Sequence, residues 1–146
     1  MSRWKEEEMQ DRDGQPAVRV LMMPRETNGQ GTIFGGVLLS YIDQAGAVEA
    51  QRLTNHRVVT VAMKEVVFLK PVFVGDVVSF YTSIESVGRT SITTRVSVQA
   101  TRVSGRRSHT VDVTEAIVVY VAINEQGQPI PVDETGAERD AAAGAD

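Results

Sequence analysis

Only one segment of this chain has the length and spacing of a buried helix. In TIFGGVLLSYIDQAGAVEAQRL (32–53), Leu38, Ile42, Ala45 and Val48 recur at the three- and four-residue intervals of a core-facing stripe. They predict a helix from Phe34–Gly36 to about Leu53, with Arg52, Thr54 and Asn55 suited to its end. Everything downstream alternates with period two. RVVTVAMKEVVFLKPV reads as one long strand or two short ones broken near Lys64–Glu65 and ended by Pro71. In VVSFYTSIESV (77–87) Val78, Phe80 and Ile84 alternate with polar residues. Ile92, Val96, Val98 and Ala100 do so in TSITTRVSVQATRV (90–103), and TVDVTEAIVVYVAI (110–123) is the most apolar strand. VGDV, VGRT and SGRR supply the turns. Upstream, AVRVLMM (17–23) reads as a first strand closed by Pro24. PRETNGQGTIFGG (24–36) is then a long loop with four glycines and Asn28. One helix among four or more antiparallel strands predicts an α+β fold in which the sheet wraps the helix. A single helix covers one face of such a sheet, so the free edge and the other face call for a partner, and a dimer is expected.

The 146 residues suit one domain with a single core. The expected division is a mobile N-terminal segment over 1–16, a domain over 17–132 and a disordered acidic, alanine-rich tail over 133–146. With no cysteine, disulfides, thiolate nucleophiles and Cys-ligated metals are excluded. The two histidines, His56 and His109, are far apart in sequence and predict no metal site. The start carries three consecutive acids and no apolar run, unlike a signal peptide, and AIVVYVAI (116–123) is too short to span a bilayer. A cytoplasmic protein is expected. A net charge of −4 argues against a general nucleic-acid binder. Residues 56–110 are nevertheless net +5, which leaves room for a local anion site among otherwise solvated strand faces.

Asp43 is the single charge between Thr27 and Val48. An unpaired carboxylate taken out of water costs several kcal/mol, so a chain that keeps one either satisfies it or uses it. Asp43 lies seven residues after Gly36, on nearly the same helical face and about 10 Å along the axis, with Leu39 and Ala47 beside it. At the helix N-terminus, free backbone N–H groups and the positive dipole end can hold an oxyanion. The residues alone leave two readings open. Asp43 is either satisfied by a neighbouring strand or by Asn28, or it is the reacting group of a site built on this helix.

The segments MPRETNGQGTIFGGVLLSYIDQAGAV, RVVTVAMKEVVFLKPVFVGDVV and VGRTS closely resemble the YciA-like branch of the hotdog-fold acyl-CoA thioesterases, in the family's order and spacing. The resemblance covers most of 17–125. It implies a hotdog fold, an antiparallel sheet around one central helix, and hydrolysis of acyl-CoA thioesters in fatty acid metabolism. It makes Asp43 the catalytic carboxylate, as general base or nucleophile, with Asn28 facing it from the other subunit. Gly35 and Gly36 would polarise the thioester carbonyl, and Thr60 would lie near the site. Arg89, Thr90 and Ser91 would meet the pantetheine and phosphates of CoA, joined by Lys70 in FLKP, where relatives commonly carry Arg. Relatives often have Asp where this chain has Thr32. Coenzyme A would be part of the substrate, with no other cofactor and no metal. The expected partners are an acyl-CoA and a homodimer, extended to a trimer of dimers as in relatives, with no nucleic acid or membrane.

Arg106 and Arg107, with His109 beside them, are read on charge as further phosphate contacts, although a hairpin end is the other reading for His109. Asp76 reads as a turn residue, Tyr41 and Tyr81 as packing, and Glu115 as a carboxylate that alternation does not place. A non-catalytic acyl-CoA sensor and a hotdog hydratase or dehydratase are the alternative functions. The latter, by resemblance, needs a histidine near the carboxylate, and neither His56 nor His109 lies in the loop before the helix.

Overall fold

The computed structural model describes residues 14–132. The expected mobile segment (apart from 14–16) and the expected acidic tail lie outside the described residues. In chain order the elements are β1 (Val18–Leu21), α1 (Gly35–Ala50), β2 (Arg57–Phe68), β3 (Val77–Val87), β4 (Ser91–Ser104) and β5 (Arg107–Ile123). The strands form one antiparallel sheet in the order β1-β3-β4-β5-β2, and α1 packs across its middle. This is the α+β hotdog architecture, one helix held by a sheet.

The helix forms where its apolar spacing predicts, and a 3-10 turn at Gln51–Leu53 continues it. Its stripe differs in one place. Val48 is 52% exposed, and Glu49 takes the buried position. At 3.6 residues per turn, Glu49 returns to within about 20° of Leu38, whereas Val48 falls about 80° away. Rotation around the helix decides burial here, against hydrophobicity. Glu49 is satisfied by the Thr82 hydroxyl (3.1 Å) and by an ion pair with Arg52. Leu38, Ile42 and Ala45 join Phe80, Ile92, Val96, Val118 and Tyr120 in one core cluster. Burying a side chain such as Ile42 contributes about 2 kcal/mol.

β1 is shorter than its apolar run. Met22 leaves the ladder, becomes fully buried and donates its N–H to Asp76 O (2.9 Å). β2 is one strand, and the break expected near Lys64–Glu65 is a bulge with Glu65 at φ +57. As the outer strand of the sheet, β2 leaves Val59, Val61, Val67 and Phe68 exposed. A long apolar edge of this kind is a pairing surface.

Asp76 is more than a turn residue. It is 2% exposed and accepts Arg102 Nε on both oxygens (3.1 Å each) and the Phe73 N–H (2.9 Å). Arg102, read from sequence as a solvated basic residue, also donates to Pro71 O (2.7 Å) and stacks over the Phe73 ring (4.6 Å). This clamp fixes the 71–76 connection. That connection in turn holds the loop before α1, through the Thr32–Phe73 bridge and the Ile33 N–H to Val72 O bond (2.8 Å). Glu115 faces out and pairs with Arg95, as does Glu85. Removing one partner of a buried pair leaves a charge stranded, whereas exposed pairs contribute little. Arg102→Ala is therefore expected to lower the unfolding free energy by about 3 kcal/mol. Arg95→Ala, on the outer face, should cost less than about 1 kcal/mol, both read by urea denaturation.

Candidate active site

Asp43 stands on the α1 face turned toward β5 and β2, partly exposed, between the half-buried Leu39 and Ala47. Two strands reach it. Thr60 of β2 donates its hydroxyl to Asp43 Oδ1 (2.6 Å). Tyr120 of β5, opposite Thr60 in the ladder, donates to the Asp43 main-chain oxygen (2.7 Å) and approaches Oδ1 (3.2 Å). Among the described residues no hydrogen bond reaches Oδ2. Strand neighbours satisfy one carboxylate oxygen, Asn28 does not, and the second oxygen stays available.

Tyr120 was not singled out in the sequence. It sits in a continuous apolar run, where nothing distinguishes a packing phenol from one aimed at a helix. Its partner signal is spatial: Gly46, on α1, leaves room for the ring. Burial, then the Asp43 charge and the hydrogen bond to it, push the Tyr120 phenol far above the ordinary tyrosine range. It therefore remains a neutral donor.

The residues at the start of the helix form a second group. Phe34 provides no side-chain cap, its N–H is bound by Glu26 O (3.0 Å), and no hydrogen bond among the described residues takes the N–H of Gly35 or Gly36. Gly36 is exposed, and the Phe68 ring at the end of β2 lies against Gly35. Asn28 organises the loop before the helix. Its Oδ1 accepts from the N–H groups of Gln30 (2.8 Å) and Thr32 (3.2 Å), and its Nδ2 donates to Thr32 Oγ1 (2.7 Å). Thr32 is thus the hydroxyl partner of Asn28. Within the chain these groups stand about two helical turns, roughly 10 Å, from Asp43.

The six residues read as CoA contacts do not come together in one chain. Arg89, Thr90 and Ser91 form the β3–β4 turn, beside the Asp43 end of the sheet. Ser91 pairs with Val121, and Thr90 O accepts the Ala122 N–H (2.9 Å). Arg106 and Arg107 form the β4–β5 turn at the opposite end of the 14-residue β4, roughly 40 Å along the strand. Lys70 lies toward that second end, next to Pro71 in the Arg102 clamp. A single chain therefore presents Arg89–Ser91 near Asp43 and Lys70 nearer Gly35. His109 is an exposed hairpin residue opposite Arg102, and Tyr41 packs on Phe80, with ring centroids 5.7 Å apart.

The arrangement offers a carboxylate with one free oxygen, two free backbone N–H groups at a helix start, and an exposed apolar edge between them. A model of the Thioesterase superfamily matches residues 30–103. The chain is 40% identical over 124 residues to the acyl-CoA thioester hydrolase YciA of Salmonella typhimurium, covering 84% of this chain and 93% of that one. Among solved structures, it resembles a hexameric hotdog fold thioesterase of Campylobacter jejuni with a TM-score of 0.78 and 42% identity, over 90% of this chain and 97% of the other. A hexameric thioesterase from Yersinia pestis matches with a TM-score of 0.77 and 40% identity, over 84% and 98% of the two chains.

The elevated tyrosine gives a measurable sign. A phenol whose folded pKa is raised contributes stability that is complete below its unfolded value, near 10, and is lost as pH rises beyond it. The alkaline tyrosinate absorbance assigned to Tyr120, by subtracting the Tyr120→Phe titration, is expected to appear only with unfolding. Stability should fall above about pH 10.

Proposed function

The chain belongs to the thioesterase superfamily and is an acyl-CoA thioester hydrolase, and from that premise we propose how its residues divide the reaction. Asp43 is the catalytic carboxylate. As a base, its free oxygen takes a proton from water while the water oxygen adds to the thioester carbon. The C–S bond then breaks, CoA leaves as the thiolate and is protonated, and the acyl group departs as the carboxylic acid. Attack by the carboxylate itself would give an anhydride that water cleaves, and would use the same oxygen. The N–H groups of Gly35 and Gly36 bind the carbonyl oxygen as it becomes an oxyanion.

The observation that carries this reading is the state of Asp43: a partly exposed carboxylate held on one oxygen by Thr60 and Tyr120 and open on the other. Neither holder is a histidine, which favours hydrolysis over hydration or dehydration chemistry.

The protein is a homo-oligomer, and its sites are shared between subunits. A thioester carbonyl must lie about 3 Å from both the oxyanion donors and the attacking group. In one chain those groups are about 10 Å apart along α1, so neither can complete the site alone. Two-fold pairing along the exposed β2 edge would bring Asp43 of each subunit to Asn28, Gly35 and Gly36 of the other. Three such dimers make the proposed assembly. Arg89, Thr90 and Ser91 would accompany the CoA from the Asp43 side, and Lys70, Arg106 and Arg107 from other subunits. Coenzyme A is part of the substrate, with no further cofactor proposed. Among the described residues no helix is long and apolar enough to cross a membrane, and a cytoplasmic setting is part of the proposal.

Asp43→Asn keeps the shape of the side chain and removes its reactive oxygen. With a free-thiol assay over a panel of acyl-CoAs, turnover should drop on the order of 10²–10⁴-fold at an unchanged melting temperature. Wild-type turnover would make Asp43 structural, and binding without turnover in the parent protein would favour a sensor.

The shared site predicts complementation. Asn28→Ala and Asp43→Ala proteins, each inactive, are unfolded, mixed and refolded. Random pairing makes about half the dimers mixed, each with one intact site, so about one quarter of the wild-type activity should return. Verified co-assembly with no regained activity would place both residues in the same chain's site.

A further inference from the structure

Among the described residues Tyr120 is the largest fully buried side chain, and the reaction steps above give its hydroxyl no role beyond its contact with Asp43. We propose that Tyr120 is a positioning residue for Asp43: with Thr60 it occupies one carboxylate oxygen and so selects the other as the reacting atom. The proposal rests on the reading of Asp43 as the reacting carboxylate.

The geometry is directional. Each oxygen of a carboxylate accepts about two hydrogen bonds. Oδ1 has Thr60 Oγ1 at 2.6 Å and the Tyr120 hydroxyl at 3.2 Å, from two different strands. Thr60 is the main donor to Oδ1, and the single phenol proton, directed chiefly at the main-chain oxygen, is shared with Oδ1 at the longer distance. Oδ2, by contrast, keeps its lone pairs for a proton or a carbonyl carbon. The same phenol lies 2.7 Å from the main-chain oxygen of Asp43. It thereby references the carboxylate to the helix backbone and limits rotation about the side-chain bonds.

Gly46 provides an independent observation. It lies one turn after Asp43 inside α1, and its φ is not positive, so backbone conformation does not call for glycine there. Space does. A Cβ at this position would collide with the Tyr120 hydroxyl and come within 2.9 Å of Thr94 Oγ1. Glycine in a helix interior costs about 1 kcal/mol relative to alanine. A phenylalanine would fill the core equally well and would need less room. The chain therefore carries both a buried hydroxyl and a helix-weakening glycine, and the contact they permit is the one to Asp43. Because the phenol stays protonated, it serves as a donor across the working pH range and does not compete as an acid.

The test uses the full chain and separates KM from kcat. Tyr120→Phe is expected to lower kcat about tenfold or more, since small misplacements of a reacting group are costly. KM should stay within about twofold, because the phenol touches no substrate. In the Asp43→Asn background, adding Tyr120→Phe should cause no further loss, as required of a residue acting through Asp43. Gly46→Ala offers a second route that keeps the hydroxyl but displaces it. It should also lose kcat, and Gly46→Ala with Tyr120→Phe should melt higher than Gly46→Ala alone because the closest of its collisions, the one with the hydroxyl, is gone while the Thr94 contact is the same in both. A folded Tyr120→Phe protein with wild-type kcat, or one whose loss persists on top of Asp43→Asn, overturns the positioning role. Wild-type turnover by Asp43→Asn overturns the premise and the proposal together, so the two failures are distinguishable.

Discussion

A phenol buried under a helix, reaching the carbonyl of one residue and the carboxylate of the same residue, ties the whole molecule together. Tyr120 comes from β5, Asp43 from α1 and Thr60 from β2, so one cluster joins the helix to an inner strand and to an edge strand. The bond fixes α1 on the sheet at this point, because Gly46 lets the helix settle onto the ring. A helix with a continuous apolar face could roll or slide on a sheet of valines. A polar contact of fixed length, surrounded by core, removes that freedom.

The far end of the helix is fixed differently. The Asp76–Arg102 pair holds the 71–76 connection, that connection holds Thr32 and Ile33, and Asn28 closes the loop through Thr32. The uncapped N–H groups of Gly35 and Gly36 thus project from a braced loop rather than a mobile one. Rigid support is what oxyanion stabilisation requires, since donors that must reorganise during the reaction lose their advantage. Two ion pairs of the same type have different consequences here. Arg95 with Glu85 and Glu115 is solvated on the outer face, whereas Arg102 with the buried Asp76 shapes the loop that frames the site.

The two anchored ends of α1 also bear on the proposed association. The Asp43 carboxylate and the free N–H groups of Gly35 and Gly36 are separated by the rise of one straight helix, which no side-chain motion removes. The same edge strand that carries Thr60 leaves Val59, Val61, Val67 and Phe68 in water. Covering that edge with a second copy would address both deficits at once, an incomplete site and an unpaired strand.

Much of this was legible in the residues. Period-two alternation placed β3, β4 and β5 closely, because each is an inner strand whose buried face is uniformly apolar or small. The 3.6 period marked α1, and the isolated charge within it singled out Asp43. Val48 and Glu49 were exchanged because their burial depends on where the helix presses the sheet, and a charged residue was not expected inside. The break in β2 was visible in Lys64–Glu65 but not its nature, since a bulge needs the partner strand to define it. Sequence separation likewise hid that Arg106 and Arg107 lie a full strand away from Arg89, and that Arg102 belongs to Asp76. By itself, the sequence determined that one helix bearing one carboxylate would lie in an antiparallel sheet, because periodicity and an isolated charge are local properties. Only the tertiary structure decided which carboxylate oxygen is held and which is left open. That choice depends on Thr60, Tyr120 and Gly46 meeting in space from three elements, and no local pattern records such a meeting.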